Sequence, residues 1–194
     1  MPLLALLLGA GLAGEPKIVE PDWAEGPTAG QVRAYFPDAA VARDVSGRGM
    51  VKCGVTARGR LTGCVIKSET PPGWGFGEAA LRLTPSFRMR PQTKDGRPTS
   101  EGSVTIPVNF WVQGTVQLEC GLVAGRARGC VAIDEKPADR GLGATAAAFA
   151  EGRKPGSNGT SVRQGKLRWR LDTPVPIPEC AAGETKFPCG GPDS

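Results

Sequence analysis

Gly49-Met-Val-Lys-Cys53-Gly-Val-Thr-Ala-Arg58-Gly59-Arg-Leu-Thr-Gly-Cys64-Val-Ile66 decides the fold. Two runs rich in β-formers flank Arg58-Gly59, and Gly59 supplies the positive φ that a tight hairpin turn requires. Cys53 and Cys64 stand equal distances from the turn, so the hairpin register sets them opposite each other. A non-hydrogen-bonded antiparallel pair brings Cα atoms to a spacing that a disulfide spans. Under that register Val51, Val55 and Ile66 share one face, which is expected to be buried.

The pattern recurs at Gln117-Leu-Glu-Cys120-Gly-Leu-Val-Ala-Gly-Arg-Ala-Arg-Gly-Cys130-Val-Ala-Ile133. Gly141-Leu-Gly143 likewise repeats Gly75-Phe-Gly77, and Arg153-Lys-Pro155 echoes Met89-Arg-Pro91. A repeat of this period predicts two copies of one small module. Cores of that size are marginal, so covalent staples matter. The six cysteines fall as three near pairs, Cys53/Cys64, Cys120/Cys130 and Cys180/Cys189, which points to disulfides and an oxidising compartment. Closing a loop of this length contributes about 3 kcal/mol in the chain-entropy model. Zinc is disfavoured, because the chain has no histidine and no Cys-x-x-Cys.

Outside the hairpins the chain divides into short elements. Residues 3–13 form an apolar run too short to span a bilayer, which needs about 20 residues. Residues 1–14 therefore match a signal-peptide core with cleavage near Ala13 or Gly14, although the usual basic flank is missing. An upstream start would make the protein anchored. Residues 15–33 are expected to be an extended lead-in. Pro37 and Asp38 suit the start of a short helix. Phe76, Ala79, Ala80, Leu83 and Phe87 recur at helical spacing, and Pro85 limits that helix. Phe87 to Pro91 suggests a short strand, followed by a turn at Asp95-Gly96.

Val104, Ile106, Val108 and Phe110 alternate with Thr105, Pro107 and Asn109, as in a half-buried strand whose proline argues for a place at or near an edge. In the second module Leu142, Ala146 and Phe149 form a reduced helical face, and Leu167, Trp169 and Leu171 the last strand. The tail, residues 173–194, is expected to be extended, with Cys180 and Cys189 closing a loop. Asn158-Gly-Thr160 is expected to be a loop.

Several function classes are weakened by composition. The charge of +5 is spread without a basic run, and aromatic residues are few, which argues against nucleic acid. Catalysis lacks a histidine base, a Ser-x-x-Lys pair and a Gly-x-Ser-x-Gly elbow. Glu69, Glu78 and Glu101 show no pairing by spacing. Gly75-Phe-Gly77 falls short of a phosphate loop. Trp74 and Trp169 are expected in the core rather than in a ligand site. No cofactor is implied.

Residues 35–112 resemble the C-terminal domain of TonB-type energy transducers. The likeness rests on Phe36-Pro37 with Ala39-Ala40, Gly49 opening a strand, and the Ala57-Arg-Gly-Arg-Leu61 turn. It continues with Gly77-Glu-Ala-Ala-Leu81, Phe87-Arg-Met-Arg-Pro91, Asp95-Gly-Arg-Pro98 and the strand from Val104 to Phe110. Phe36-Pro37 stands where the family usually has Tyr-Pro, and the disulfides and the duplication are additions. The resemblance implies an α+β fold, a small antiparallel sheet packed on one helix. Here that fold is duplicated, as domain 34–112 followed by a degenerate second repeat, 113–172.

The resemblance also implies a periplasmic, non-enzymatic binding protein that takes extended segments of outer-membrane transporters, or of other envelope proteins, by strand addition. The docking edge would be Ser103, Val104, Thr105, Ile106, Val108, Asn109 and Phe110, with Pro107 removing one donor. Residues 1–33 carry no membrane-spanning helix or long Pro-rich spacer of the transducer kind, so binding is expected without force transmission. The alternative is an envelope scaffold contacting peptidoglycan through Arg88, Arg90, Arg97, Arg163, Arg168 and Arg170.

Overall fold

The computed structural model describes residues 17–92, 96, 98–100, 102–138, 140–156, 159–163 and 166–193. The signal-like segment, Asp95, Arg97, Glu101, Asn158 and the side chain of Arg163 lie outside the described residues. The architecture is α+β: small antiparallel sheets, each of the two larger ones packed on one helix.

In the first unit, β2 (Gly47–Val55) and β3 (Leu61–Thr70) form the expected hairpin, and β5 (Ser103–Phe110) pairs on the other side of β2, giving the order β3-β2-β5. Cys53 and Cys64 are bonded, with Cα atoms 4.1 Å apart. At the turn, Gly59 has φ +73°, and its carbonyl accepts from the Met89 amide at 2.8 Å. α3 (Phe76–Leu83) lies directly on β2 because Gly49 has no side chain: a Cβ there would overlap the Phe76 backbone. Phe76 and Phe110 are fully buried, and Phe36 meets both rings edge-on at 6.0 and 5.5 Å. Such aromatic pairs add to the burial that holds a small core together.

Three expectations for this unit fail. The lead-in is not all extended: β1 (Trp23–Glu25) pairs with β4 (Arg88–Met89), and α1 (Ala29–Ala34) is helical. Thr28 and Gln31 form a reciprocal capping box that starts α1, a signal that Pro and Gly content conceals. Phe87 lies beyond α3 and a single 3-10 turn, in extended backbone, and packs on Trp23 at 5.1 Å. Ile66 faces α3 but stays 39% exposed, because the helix presents Gly77 to it and so offers no side chain as cover. α2 (Asp38–Ala42) forms with Pro37 at its N-cap and Asp38 in its first turn.

Among the described residues, the second unit repeats the hairpin, helix and closing strand of the first without counterparts to β1, α1 or α2. β6 (Gln113–Val123) and β7 (Arg126–Lys136) make the hairpin, Cys120 bonds Cys130, and α4 (Leu142–Ala150) packs beneath. β9 (Lys166–Pro174) pairs with β6, and runs beyond the expected strand at both ends. A further strand, β8 (Thr160–Arg163), pairs outside β9, giving the order β7-β6-β9-β8. The buried stripe of α4 is Leu142, Ala146 and Ala150 rather than one including Phe149. Phe149 falls beside that stripe, 51% exposed, with the Arg153 guanidinium 4.0 Å above its ring.

The tail clasps the two units. Trp74 donates its indole N–H to the Pro188 carbonyl at 2.6 Å and meets Phe187 edge-on. Arg140, from the second unit, stacks over Phe187 at 4.8 Å and donates to the Arg43 carbonyl of the first. Cys180 and Cys189 close this loop. Trp74 is thus a member of the first core that the tail covers, and Trp169 sits in the second core.

Candidate functional site

The geometry that could bind a partner is the outer edge of β5. Strand parity fixes which groups face outward. Val55 donates to the Gly102 carbonyl, and the β2–β5 register continues without a shift from Gly54↔Ser103 to Gly47↔Phe110. In an antiparallel ladder, alternate residues turn their backbone groups toward the partner. Val104, Ile106, Val108 and Phe110 thus bond to β2, and their side chains are buried under α3. Ser103, Thr105, Pro107 and Asn109 turn their backbone outward. At Ser103 the carbonyl already accepts from the Ile18 amide at 2.8 Å, through a parallel bridge to Lys17. Thr105 and Asn109 each present one donor and one acceptor, and Pro107 an acceptor alone.

Sequence reasoning located this strand and its proline, but not the side on which the missing donor lies. Pro107 faces away from β2, so the internal ladder is complete and only the outer edge is interrupted. The charged side chains of β2 and β5 are Arg48 and Lys52, both on the face opposite α3. Arg48 reaches across to β5, donating through Nε to Asn109 Oδ1 at 2.7 Å. This places positive charge beside the open edge.

The other strand edges are managed differently. β3 and β7 each pair with two register shifts, and left-handed glycines, Gly63 and Gly129, sit in those stretches. Such bulges twist an edge away from further pairing. The edge of β9 that corresponds to β5 is covered by β8, and Arg170 donates to the Gly159 carbonyl at 2.8 Å. Among the described residues, no strand covers Thr105 to Asn109.

Other candidates carry structural roles. The amides at the start of α3 are occupied internally: Glu69 accepts from Trp74, Gly75 and Gly77, the last at 2.8 Å. Glu135 repeats this on Arg140, Gly141 and Gly143. A carboxylate at a helix N-terminus is favourable, and it fills the place a phosphate would take. Cys180, Glu184 and Cys189 come close together, but the cysteines are bonded to each other and Glu184 accepts from the Ala181 amide. The arginines considered for peptidoglycan do not converge. Arg88 and Arg90 belong with β4, and Arg168 and Arg170 with the four-stranded sheet. Arg88, Arg90 and Arg168 lie within 4.0 Å of Glu25, Asp22 and Glu119.

Residues 32–112 match the family model of the Gram-negative bacterial TonB protein C-terminal. The first unit is a TonB C-terminal domain. The match ends at Val112, so β6 to β9 lie outside it. No curated protein and no solved structure matches the chain. The matched domain suggests a TonB-like envelope protein, and no described helix is long and apolar enough to cross a membrane.

Proposed function

We propose that this is an exported, non-enzymatic envelope protein that binds extended segments of outer-membrane transporters, or of related envelope proteins, by strand addition to β5. The observation that carries this is the outward backbone of Thr105, Pro107 and Asn109, bulge-free and uncovered, while the outer edges of both hairpins are broken by register shifts. Backbone groups would supply affinity and alternate side-chain positions the selectivity. Arg48 and Lys52 favour an acidic side chain on the face away from α3. The second unit, in this proposal, is a copy of the first whose corresponding edge β8 has closed.

An NMR titration of the protein with a peptide from the periplasmic N-terminus of a TonB-dependent transporter tests this. Shifts should concentrate on Thr105 to Asn109 and not on β9. Thr105→Pro removes an outward donor without touching the β2 ladder, as Pro107 shows is tolerated. It should weaken binding about five- to ten-fold. Absence of shifts, or equal binding by T105P, rejects strand addition here.

A further inference from the structure

The edge of β5 does not end where the strand ends. Lys17 bridges Ser103 in parallel, the only parallel bridge among the described residues, and the Ile18 amide takes the Ser103 carbonyl. Because the bridge is parallel, continued pairing would lay Val19 and Glu20 along Thr105. The chain does not do this. Val19 is 78% exposed, and beyond it the Arg90 amide donates to the Asp22 carbonyl at 2.9 Å. Trp23 is then tied to Met89 by β1–β4 pairing and to Phe87 by ring contact. Ile18 itself packs against the first core. The lead-in is thus fixed at one rung of the edge and drawn away from the next.

At its far end the strand stops at Phe110 and the chain turns into the second unit. The Val112 amide donates to Ser46 Oγ, and Val175 donates to the Val112 carbonyl. Among the described residues, no strand or bridge takes up the outward backbone of Thr105, Pro107 and Asn109.

We propose that Lys17-Ile18 is a built-in stop on the β5 edge, which sets the length and register of a docked strand to the window from Thr105 to Asn109. This rests on the strand-addition function proposed above and adds its selectivity. A segment of about five residues fills the window at the rise of an extended chain. A longer one gains the Ser103 rung only by displacing Ile18.

The test uses the full chain with two transporter-derived peptides, one of about five residues and one of about nine, extended toward Ser103. With the short peptide, the Ile18 amide keeps its protection from hydrogen exchange. With the long peptide it loses protection, while the Arg90 amide, held by the Asp22 carbonyl, and the Met89 amide, held by the Gly59 carbonyl, do not. Ile18→Pro removes the donor and should tighten the long peptide about five-fold while leaving the short one unchanged. Ile18→Ala, which keeps the donor, separates loss of the bond from loss of packing and should behave closer to wild type. If both peptides bind at Thr105 to Asn109 but Ile18 stays protected and I18P changes neither affinity, the stop is rejected and strand addition stands. If neither peptide shifts Thr105 or Asn109, both fail together.

Discussion

The two units share their devices and differ in what they leave exposed. Each has a bonded hairpin, a glycine opening the helix in the left-handed region, and a glutamate on the helix amides. The first unit then buries Phe76, Leu83 and Phe110, with Phe36 laid across them, and leaves the outer edge of β5 free. The second buries Leu142 and two alanines from its helix, leaves Phe149 outside, and covers β9 with β8. Local turn and cap chemistry thus sets the topology. The side chains packed on it, and the segment before the last strand, decide whether the sheet can accept another strand.

The sharpest way to strain this comparison is to remove the hairpin disulfides one at a time. The loops they close are nearly equal, with sequence separations of 11 and 10, so each should contribute about 3 kcal/mol. Equal losses fall on unequal cores. C120S/C130S should unfold the second unit first, whereas C53S/C64S should lower the first unit's transition by about 15 °C and leave it folded at room temperature. Calorimetry resolves the two transitions. If they move together in both variants, the Phe187 clasp has made one cooperative body of them, and the contrast in cores does not govern stability.

A smaller effect isolates what the units have in common. Glu69→Gln and Glu135→Gln each keep an acceptor but remove the charge at the helix N-terminus. Each should cost about 1–2 kcal/mol, with similar values in both units because the amides engaged are equivalent. Denaturant titration of the two variants measures this. A large effect in one unit alone would show that the matching geometry hides different energetics.

The sequence made the shared devices legible and obscured the differences. Cysteine symmetry about Arg58-Gly59 predicts the hairpin and its disulfide without knowledge of anything distant, and the alternation from Val104 to Phe110 identifies β5. The Glu69 cap is invisible by spacing, since it depends on a strand end meeting a helix start after a turn. α1 is concealed because its capping box lies among prolines and glycines, whose presence suggests extended chain. Phe149 misleads because periodicity alone places it on the buried face, while the stripe that packs steps by four through Leu142, Ala146 and Ala150. The open edge is the least legible. It depends on what does not pair with β5, and that follows from the path of the lead-in rather than from β5 itself.

The finest distinction between the units lies on the sheet face away from each helix. In the first, Arg48 bonds to a neutral partner, Asn109; in the second, Glu119 lies between Lys166 at 2.6 Å and Arg168 at 3.8 Å. The hydrogen bond from Lys166, reinforced by the charges of Lys166 and Arg168, outweighs partial burial and lowers the Glu119 carboxyl below its ordinary value of 4.5. A lowered folded-state value means that the contribution is present above the unfolded value and is lost as pH falls through the folded one. Glu119→Gln should therefore destabilise the second unit slightly at neutral pH, and the deficit should shrink on acidification below pH 4.5. Added salt should shrink it too, since the pair is solvent-facing. The first unit has no such carboxylate on β2 or β5, so its transition in the same melting curves should be unmoved by this substitution. A deficit that persists at acid pH would assign the effect of Glu119 to packing rather than to charge.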